Sequence, residues 1–146
     1  MDALGSDVLT LHHLSLESDL RYRDNELYLQ SVRGVTKAVT VYDLLNLVAA
    51  VADAVGEREA RELYAAYLRS EEHVVLFPRP PGSWEELMEE VMPYVLKGLD
   101  HDGALIALAV ASHHEVRRYV TWKKSYRGKM PVTVVSPREC LGSTRV

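Results

Sequence analysis

The chain has 146 residues, of which 47% are hydrophobic and 26% charged, and its formal net charge is −4. This composition is typical of one globular domain and excludes a disordered or fibrous chain. A single cysteine, Cys140, excludes an internal disulfide and is expected to be a small buried side chain. No secretory signal or membrane-spanning run is visible, so we expect a cytoplasmic protein that forms a single domain over residues 1–146 and has no membrane partner.

Short runs rich in β-branched residues alternate with amphipathic segments along the chain. The predicted strands are 2–9, 37–39, 73–77, 116–122 and 131–135. The predicted helices are 14–32, 41–56, 57–69, one that starts at residue 84 and kinks or restarts at Pro93, and the apolar run 104–111. Thr40 and Ser83 stand where helix caps are expected. Strands that alternate with helices predict an α/β fold, with three layers (α/β/α) around a mostly parallel sheet.

Five short motifs carry a resemblance to a known family. The stretches GALIALA (103–109), TWKK (121–124) and SPRECL (136–141) follow one another in the last third of the chain. Their order and spacing are similar to those of DALIA, TWD or TWN, and TPREFL in PIN domains, which are metal-dependent ribonucleases. LGSDVL (4–9) and TVYDLLN (40–46) likewise resemble the YLDTNVL and TIYxLLE stretches of that family. The resemblance covers nearly the whole chain and implies a PIN-like fold.

The resemblance also implies four acids at the carboxyl ends of the strands, which would bind divalent cations that activate water. At those positions this sequence has Gly5, Asn46, Gly103 and Lys123, and none of them is a carboxylate. The implied site is therefore degenerate, with no bound metal and no ribonuclease activity expected. We expect Lys123 to face the former cleft, where it would pair with Asp7 or Asp102 or attract an anion.

Three aspartates leave an alternative open. Asp7, Asp43 and Asp102 each lie within a few residues of a missing acid, and Asp43 shares a helix face approximately with Asn46. Displaced in this way, they could rebuild an active Mg²⁺- or Mn²⁺-dependent endoribonuclease of the toxin type, for which a cognate antitoxin would be expected. Against this alternative, the residues that follow Lys123 supply no acid.

The segment from Arg117 onward is basic and contains one acid, Glu139. Its candidates for binding RNA or another anion are Arg117, Arg118, Lys123, Lys124, Arg127 and Lys129. A basic end on an acidic body also favours self-association, for which Tyr22, Tyr28 and Trp84 are candidate exposed aromatic residues. The dimeric habit of PIN domains implies a homodimer or a pair with a related PIN protein. An interaction module and a nucleic-acid-binding module are thus both open.

The histidines are not spaced as metal ligands. His12 with His13, and His113 with His114, are adjacent in sequence, whereas two ligands on one helix usually stand four residues apart. We therefore expect structural or surface roles for these histidines. The low content of Asn and Gln beside abundant Glu and Arg suits a thermophile, and a biased genome composition would produce the same pattern.

Overall fold

The computed structural model describes residues 1–143. The strands in this part of the chain are β1 (Asp2–Leu4), β2 (Lys37–Thr40), β3 (His73–Leu76), β4 (Arg118–Val120) and β5 (Thr133–Val135). The helices are α1 (Ser6–His13), α2 (Tyr22–Ser31), α3 (Val41–Ala54), α4 (Glu57–Arg69), α5 (Trp84–Leu96), α6 (His101–Ala111) and α7 (Pro137–Ser143), with a 3₁₀ turn at Lys124–Tyr126. None of these helices is long and apolar enough to cross a membrane.

The five strands form one parallel sheet in the order β3-β2-β1-β4-β5. Successive strand residues point to opposite faces, so Ala3 and Tyr119 pack on one face while Leu4 and Val120 pack on the other. Helices α5 and α6 cover the first face, and α1, α2, α3, α4 and α7 cover the second. The predicted three-layer α/β/α fold is confirmed, and the observed sheet is entirely parallel.

Local signals located several elements accurately. The side chain of Thr40 accepts a hydrogen bond from the Asp43 amide at 3.0 Å and caps α3, as its position predicted. Ser83 caps α5 in the same way, with a 3.1 Å bond from the Glu86 amide. Helix α5 runs unbroken through Pro93, so the helix does not restart there. Pro93 is exposed, and the carbonyl group that it leaves unpaired can be hydrated.

The first predicted strand is too long. β1 ends at Leu4, and residues 6–9 belong to α1, where Val8, Leu9 and Leu11 form one buried helical face. An apolar run of this length fits a buried strand or a buried helix equally well, so periodicity alone misassigns it. The helix predicted over 14–32 is also shorter in the structure, because the segment before Tyr22 forms turns that include Ser15 at φ 48°.

Candidate functional site

The carboxyl ends of β1, β2 and β4 lie side by side in the middle of the sheet. In parallel α/β sheets this edge is where ligands bind. The segments that follow these strands bring together the polar side chains of Asp7, Asp43 and Thr121. The N-terminus of α6 and the 3₁₀ turn after β4 form the neighbouring wall, through Asp100 and Tyr126. We refer to this set of residues as the carboxyl-edge cluster.

Asp43 is the most deeply buried member of the carboxyl-edge cluster, with 1% of its surface exposed. Its carboxylate accepts hydrogen bonds from the Ser6 amide at 3.0 Å and from the Thr40 hydroxyl at 2.9 Å. The Tyr119 hydroxyl donates to the same group and lies 2.9 and 3.0 Å from its two oxygens. Both oxygens of Asp43 are therefore engaged by donors within the protein.

Burial raises the pKa of Asp43 to about 7, although its hydrogen-bond donors act in the opposite direction. The nearby Asp7 carboxylate adds to this increase in pKa. Burial also raises the pKa of Tyr119 well above its ordinary value, so its hydroxyl keeps its proton and remains a donor to Asp43. An acid held in this way is a poor ligand for a hard cation, which requires charged and accessible oxygens.

Asp7 occupies the space beside Gly5. Its oxygens accept bonds from the Thr121 hydroxyl at 2.9 Å and from the Trp122 amide at 2.6 Å, so it ties α1 to the end of β4. A Cβ atom added to Gly5 would lie 2.6 Å from Asp7 Oδ1 and 3.1 Å from the Val120 carbonyl. An acidic side chain at position 5 would therefore collide with the group that now holds this corner together.

Gly103 is covered in a comparable way by Tyr126. A Cβ atom at position 103 would lie 3.0 Å from two ring atoms of Tyr126 and 2.9 Å from Asp100 Oδ1. Asp100 caps α6 by accepting from the Gly103 amide at 2.6 Å, and the Tyr126 hydroxyl donates to the same oxygen at 3.3 Å. The ring of Tyr126 thus fills the space where an acid at position 103 would begin.

Lys123 does not make the expected pair with Asp7 or Asp102. Its Nζ lies 5.1 Å from the centre of the Tyr126 ring and 3.5 Å from the hydroxyl, and no carboxylate in residues 1–143 forms an ion pair with it. The expectation fails because the oxygens of Asp7 are turned toward Thr121 and the β4 backbone. Asp102 is exposed on the first turn of α6, and Asn46 is half-buried on α3 one turn after Asp43.

The donor set at this edge does not fit the two-cation site that the resemblance implies. At two of its four positions a side chain would meet Asp7 or Tyr126, a third position carries Lys123, and the oxygens of Asp43 and Asp7 are occupied. Within the described residues 1–143, no three His, Cys, Asp or Glu side chains are arranged to hold a metal ion.

The six basic candidates do not form one surface. Arg117 and Arg118 lie at the start of β4, at the amino edge of the sheet, and Arg118 pairs with Asp2 through bonds of 2.9 and 2.8 Å. Arg127 pairs with Glu139. Lys123, Lys124 and Lys129 follow the carboxyl end of β4 and take part in no ion pair among the described residues.

The aromatic candidates also differ from one another. Tyr28 was expected on the surface, but it is buried, because its hydroxyl donates to Asp2 at 2.6 Å while its ring packs in the core. Tyr22 is half-buried, and Trp84 is 80% exposed at the start of α5. Trp122 donates from its indole nitrogen to Asn25 at 2.9 Å. Cys140 is buried, as predicted.

The sequence did not identify Tyr119, which bonds to Asp43, or the cluster residues Asp100 and Tyr126. Asp100 stands three residues before Gly103 at the head of an apolar run, which is a helix-capping signal that could have been recognised. Tyr119 lies in a buried strand, where its hydroxyl needs a partner. Tyr126 carries no comparable signal, because only the fold brings its turn against α6.

A scan against protein-family models and a search of curated proteins find no match to this chain. The geometry of the described residues, together with the motifs, is therefore what supports a functional proposal.

Proposed function

We propose that this protein is a non-catalytic, PIN-like interaction module of the cytoplasm that pairs with a second copy of itself through helix α5. The observation that carries the proposal is an apolar stripe on this helix. Trp84, Met88, Met92 and Leu96 recur every four residues and are 80%, 62%, 42% and 77% exposed. No residue of α5 is buried. A contiguous exposed apolar stripe of this kind marks an interaction surface.

The opposite side of α5 already has a partner within the chain. Val91 and Tyr94 pack against the core cluster that contains α6. The exposed stripe therefore faces away from the domain, and its spacing of four residues follows one side of a helix. A second helix with the same spacing could bury it by packing ridges into grooves.

Charge favours a two-fold arrangement in which the two α5 helices run antiparallel. The first turn of α5 carries Glu85 and Glu86, and its last turn is followed by Lys97. A two-fold axis near Met88 and Met92 would place the acidic start of one helix beside Lys97 of the other copy. Parallel packing would instead bring the acids of the two copies together.

The carboxyl-edge cluster supports the non-catalytic part of the proposal. Its buried Asp43 is held by the protein's own donors, and Tyr126 occupies the space at Gly103. The rival function, an Mg²⁺- or Mn²⁺-dependent endoribonuclease that uses Asp7, Asp43 and Asp102, requires these donors to give way to metal.

The pairing is tested by light scattering on the eluted protein over a hundredfold range of concentration. We expect a dimer for the wild type and a monomer for Met88→Asp, because a buried charge at the centre of the stripe opposes association. Leu68→Asp is the matched control, since Leu68 is 50% exposed on α4, away from the stripe. A monomeric wild type, or a Met88→Asp variant that remains dimeric, would contradict the pairing.

The absence of catalysis is tested by calorimetric titration with Mn²⁺ and by incubation of RNA with the protein and Mn²⁺. We expect no site tighter than millimolar, which corresponds to about 4 kcal/mol of binding free energy. We also expect no cleavage. A micromolar site that Asp43→Asn abolishes, or metal-dependent cleavage, would establish the nuclease instead.

RNA binding without cleavage is a second candidate, favoured by Lys123, Lys124 and Lys129. These three residues lie together after β4 and have no ion-pair partner in residues 1–143. We expect Lys124→Gln to weaken binding to single-stranded RNA and to reduce its salt dependence. Arg117→Gln, at the opposite edge, is the control that should leave binding unchanged. Equal effects of the two substitutions would argue against a site at the carboxyl edge.

A further inference from the structure

The amino edge of the sheet contains a cavity of about 550 Å³ that is separate from the carboxyl-edge cluster. The ends of α1 and α4 and the starts of β2 and β3 surround it, together with the second half of α2. Its apolar wall is formed by Leu9, Leu29, Leu63 and Ala66. This volume lies within the usual range of about 300–1,000 Å³ for small-molecule sites in proteins, which are concave and mainly apolar with a few convergent polar groups.

Aromatic rings form a second wall of this amino-edge cavity. The rings of His12 and His13 are 4.9 Å apart, those of His13 and Tyr67 are 5.6 Å apart, and those of Tyr67 and His73 are 4.9 Å apart. Neighbouring rings meet edge to face. A planar aromatic body placed in the cavity would find ring edges and faces to pack against.

Hydrogen bonds within the chain engage one ring nitrogen of two of these imidazoles, and a hydroxyl that donates to it makes the other nitrogen a donor. The Tyr67 hydroxyl lies 2.7 Å from His13 Nε2, and donation to that nitrogen leaves the proton of the neutral ring on Nδ1. Ser70 Oγ accepts from the Glu72 amide at 3.2 Å and can donate to His73 Nδ1 at 2.9 Å, which leaves a proton on Nε2. In residues 1–143 neither of these N–H groups has a further partner.

Most charges around the cavity are already paired. Lys37 Nζ is held by the Val32 and Val35 carbonyls at 3.0 and 2.8 Å and by Glu72 at 3.4 Å. Glu26 is engaged by the His12 ring through a hydrogen bond of 2.8 Å to Nδ1. Arg33 also lines the cavity, and its guanidinium makes no hydrogen bond or ion pair within the described residues 1–143. One unpaired cation beside neutral N–H donors matches a ligand that carries a single negative charge.

We propose that the amino-edge cavity is a binding site for a small aromatic carboxylate, whose ring packs between the apolar and aromatic walls and whose carboxylate binds Arg33. This site is independent of pairing through α5 and of any activity at the carboxyl edge. A neutral ligand of the same shape would leave Arg33 without a partner and would bind more weakly.

The test uses 1-naphthoate as the probe and the full chain as the protein. Carbon-detected resonances of the histidine rings report binding, since His12, His13 and His73 line the cavity while His101, His113 and His114 lie elsewhere. We expect saturable shifts in the first three and no shifts in the other three. Shifts in all six, or none that saturate, would overturn the proposal.

Two variants and one neutral probe test the chemistry. Arg33→Gln should weaken 1-naphthoate about tenfold, whereas Arg23→Gln, also exposed but at the start of α2 and outside the cavity, should leave its affinity unchanged. 1-Naphthamide should bind the wild type about tenfold more weakly than 1-naphthoate does. The Arg33→Gln variant should bind the two probes with equal affinity. Ala66→Trp should abolish binding by filling the cavity. Equal affinity of the two probes for the wild type, or unchanged binding in folded Ala66→Trp, would overturn the assignment.

Discussion

The two edges of the sheet bring polar side chains together with opposite results. At the carboxyl edge, the Tyr119 hydroxyl bonds to Asp43, and the ring of Tyr126 fills the space beside Gly103. At the amino edge, His13 and His73 line a cavity of about 550 Å³. A position beyond the strand ends is therefore not enough to make a binding site. What matters is whether polar groups are satisfied by the chain itself or still have donors and space to offer a ligand.

The largest expected effect on stability comes from removal of the Asp43 carboxylate at the carboxyl edge. Asp43→Ala leaves the Ser6 amide and the Thr40 and Tyr119 hydroxyls without their acceptor in the interior. We expect the free energy of unfolding to fall by about 4 kcal/mol, since each buried unsatisfied donor costs about 1–3 kcal/mol. Urea unfolding monitored by circular dichroism measures it.

Asp102→Ala is the control for this substitution, because Asp102 lies exposed on the first turn of α6. We expect it to cost less than about 1 kcal/mol. Similar losses for the two variants would show that Asp43 does not organise the carboxyl edge.

The pH dependence of stability separates burial of Asp43 from its hydrogen bonding. Burial raises the pKa of Asp43 from its ordinary 3.8 to about 7, so in this range the folded protein binds a proton that the unfolded chain releases. The stabilisation is present below pH 3.8 and is lost as the pH rises toward 7. Wild type should lose roughly 3 kcal/mol of stability relative to Asp43→Asn between pH 4.5 and 7.

The control for the pH experiment is Asp53→Asn, an exposed position on the same helix α3. A pH dependence that appears for both variants does not come from Asp43. A wild type that gains stability over Asp43→Asn as the pH rises would show that the hydrogen bonds outweigh burial and hold the pKa of Asp43 low.

The filling of the carboxyl edge by Tyr126 predicts an energetic coupling with position 103. Gly103→Ala should destabilise the wild type by about 1–2 kcal/mol, because the new Cβ would lie 3.0 Å from the Tyr126 ring. In a Tyr126→Ala background the same change should cost less, since only the contact with Asp100 remains and alanine is the better helix former by about 1 kcal/mol. Unfolding of the four proteins of this double-mutant cycle gives the coupling energy.

Gly142→Ala serves as the control for this cycle, because a Cβ at position 142 meets nothing within 4 Å. Gly142→Ala should not depend on Tyr126. A coupling near zero for Gly103 would show that the turn carrying Tyr126 moves aside, in which case an acid at position 103 could also be accommodated.

The sequence predicted those parts of the molecule that depend on neighbouring residues. The position of Thr40 predicted the start of α3, and the helix predicted over 57–69 has the same limits as α4. Capping and periodicity act within a few residues, so the layers and the parallel sheet could be inferred from them. The error at residues 6–9 arose because a segment with two apolar residues, Val8 and Leu9, is too short for periodicity to distinguish a strand from a helix.

Long-range contacts account for most of what could not be predicted. Tyr126 covers Gly103 from a turn that follows β4, and His73 joins His13 from a different strand and helix. Structural or surface roles were expected for the adjacent pair His12 and His13, and their place in a cavity depends on α1 and α4 ending at the same edge. Spacing in the sequence shows which residues share a face, and only the fold shows what faces them.

The smallest expected effect is the pH dependence of stability that His13 contributes at the amino edge. Its sign is opposite to that of the pH dependence that Asp43 contributes at the carboxyl edge. Burial lowers the pKa of His13 from 6.5 to about 4, so below pH 6.5 the unfolded chain binds a proton that the folded protein does not bind. The stabilisation from His13 is present above pH 6.5 and is lost as the pH falls toward 4.

His13→Gln removes the titration, and its carbonyl oxygen can still accept from Tyr67. Wild type should lose about 1 kcal/mol relative to this variant between pH 7 and 5, a modest value because the ring is partly exposed and screened by solvent. His114→Gln, at a fully exposed ring, is the control, and a change that both variants show does not come from His13. If the difference between wild type and His13→Gln stays constant over this range, His13 is open to water, and the amino-edge cavity is less enclosed than its walls indicate.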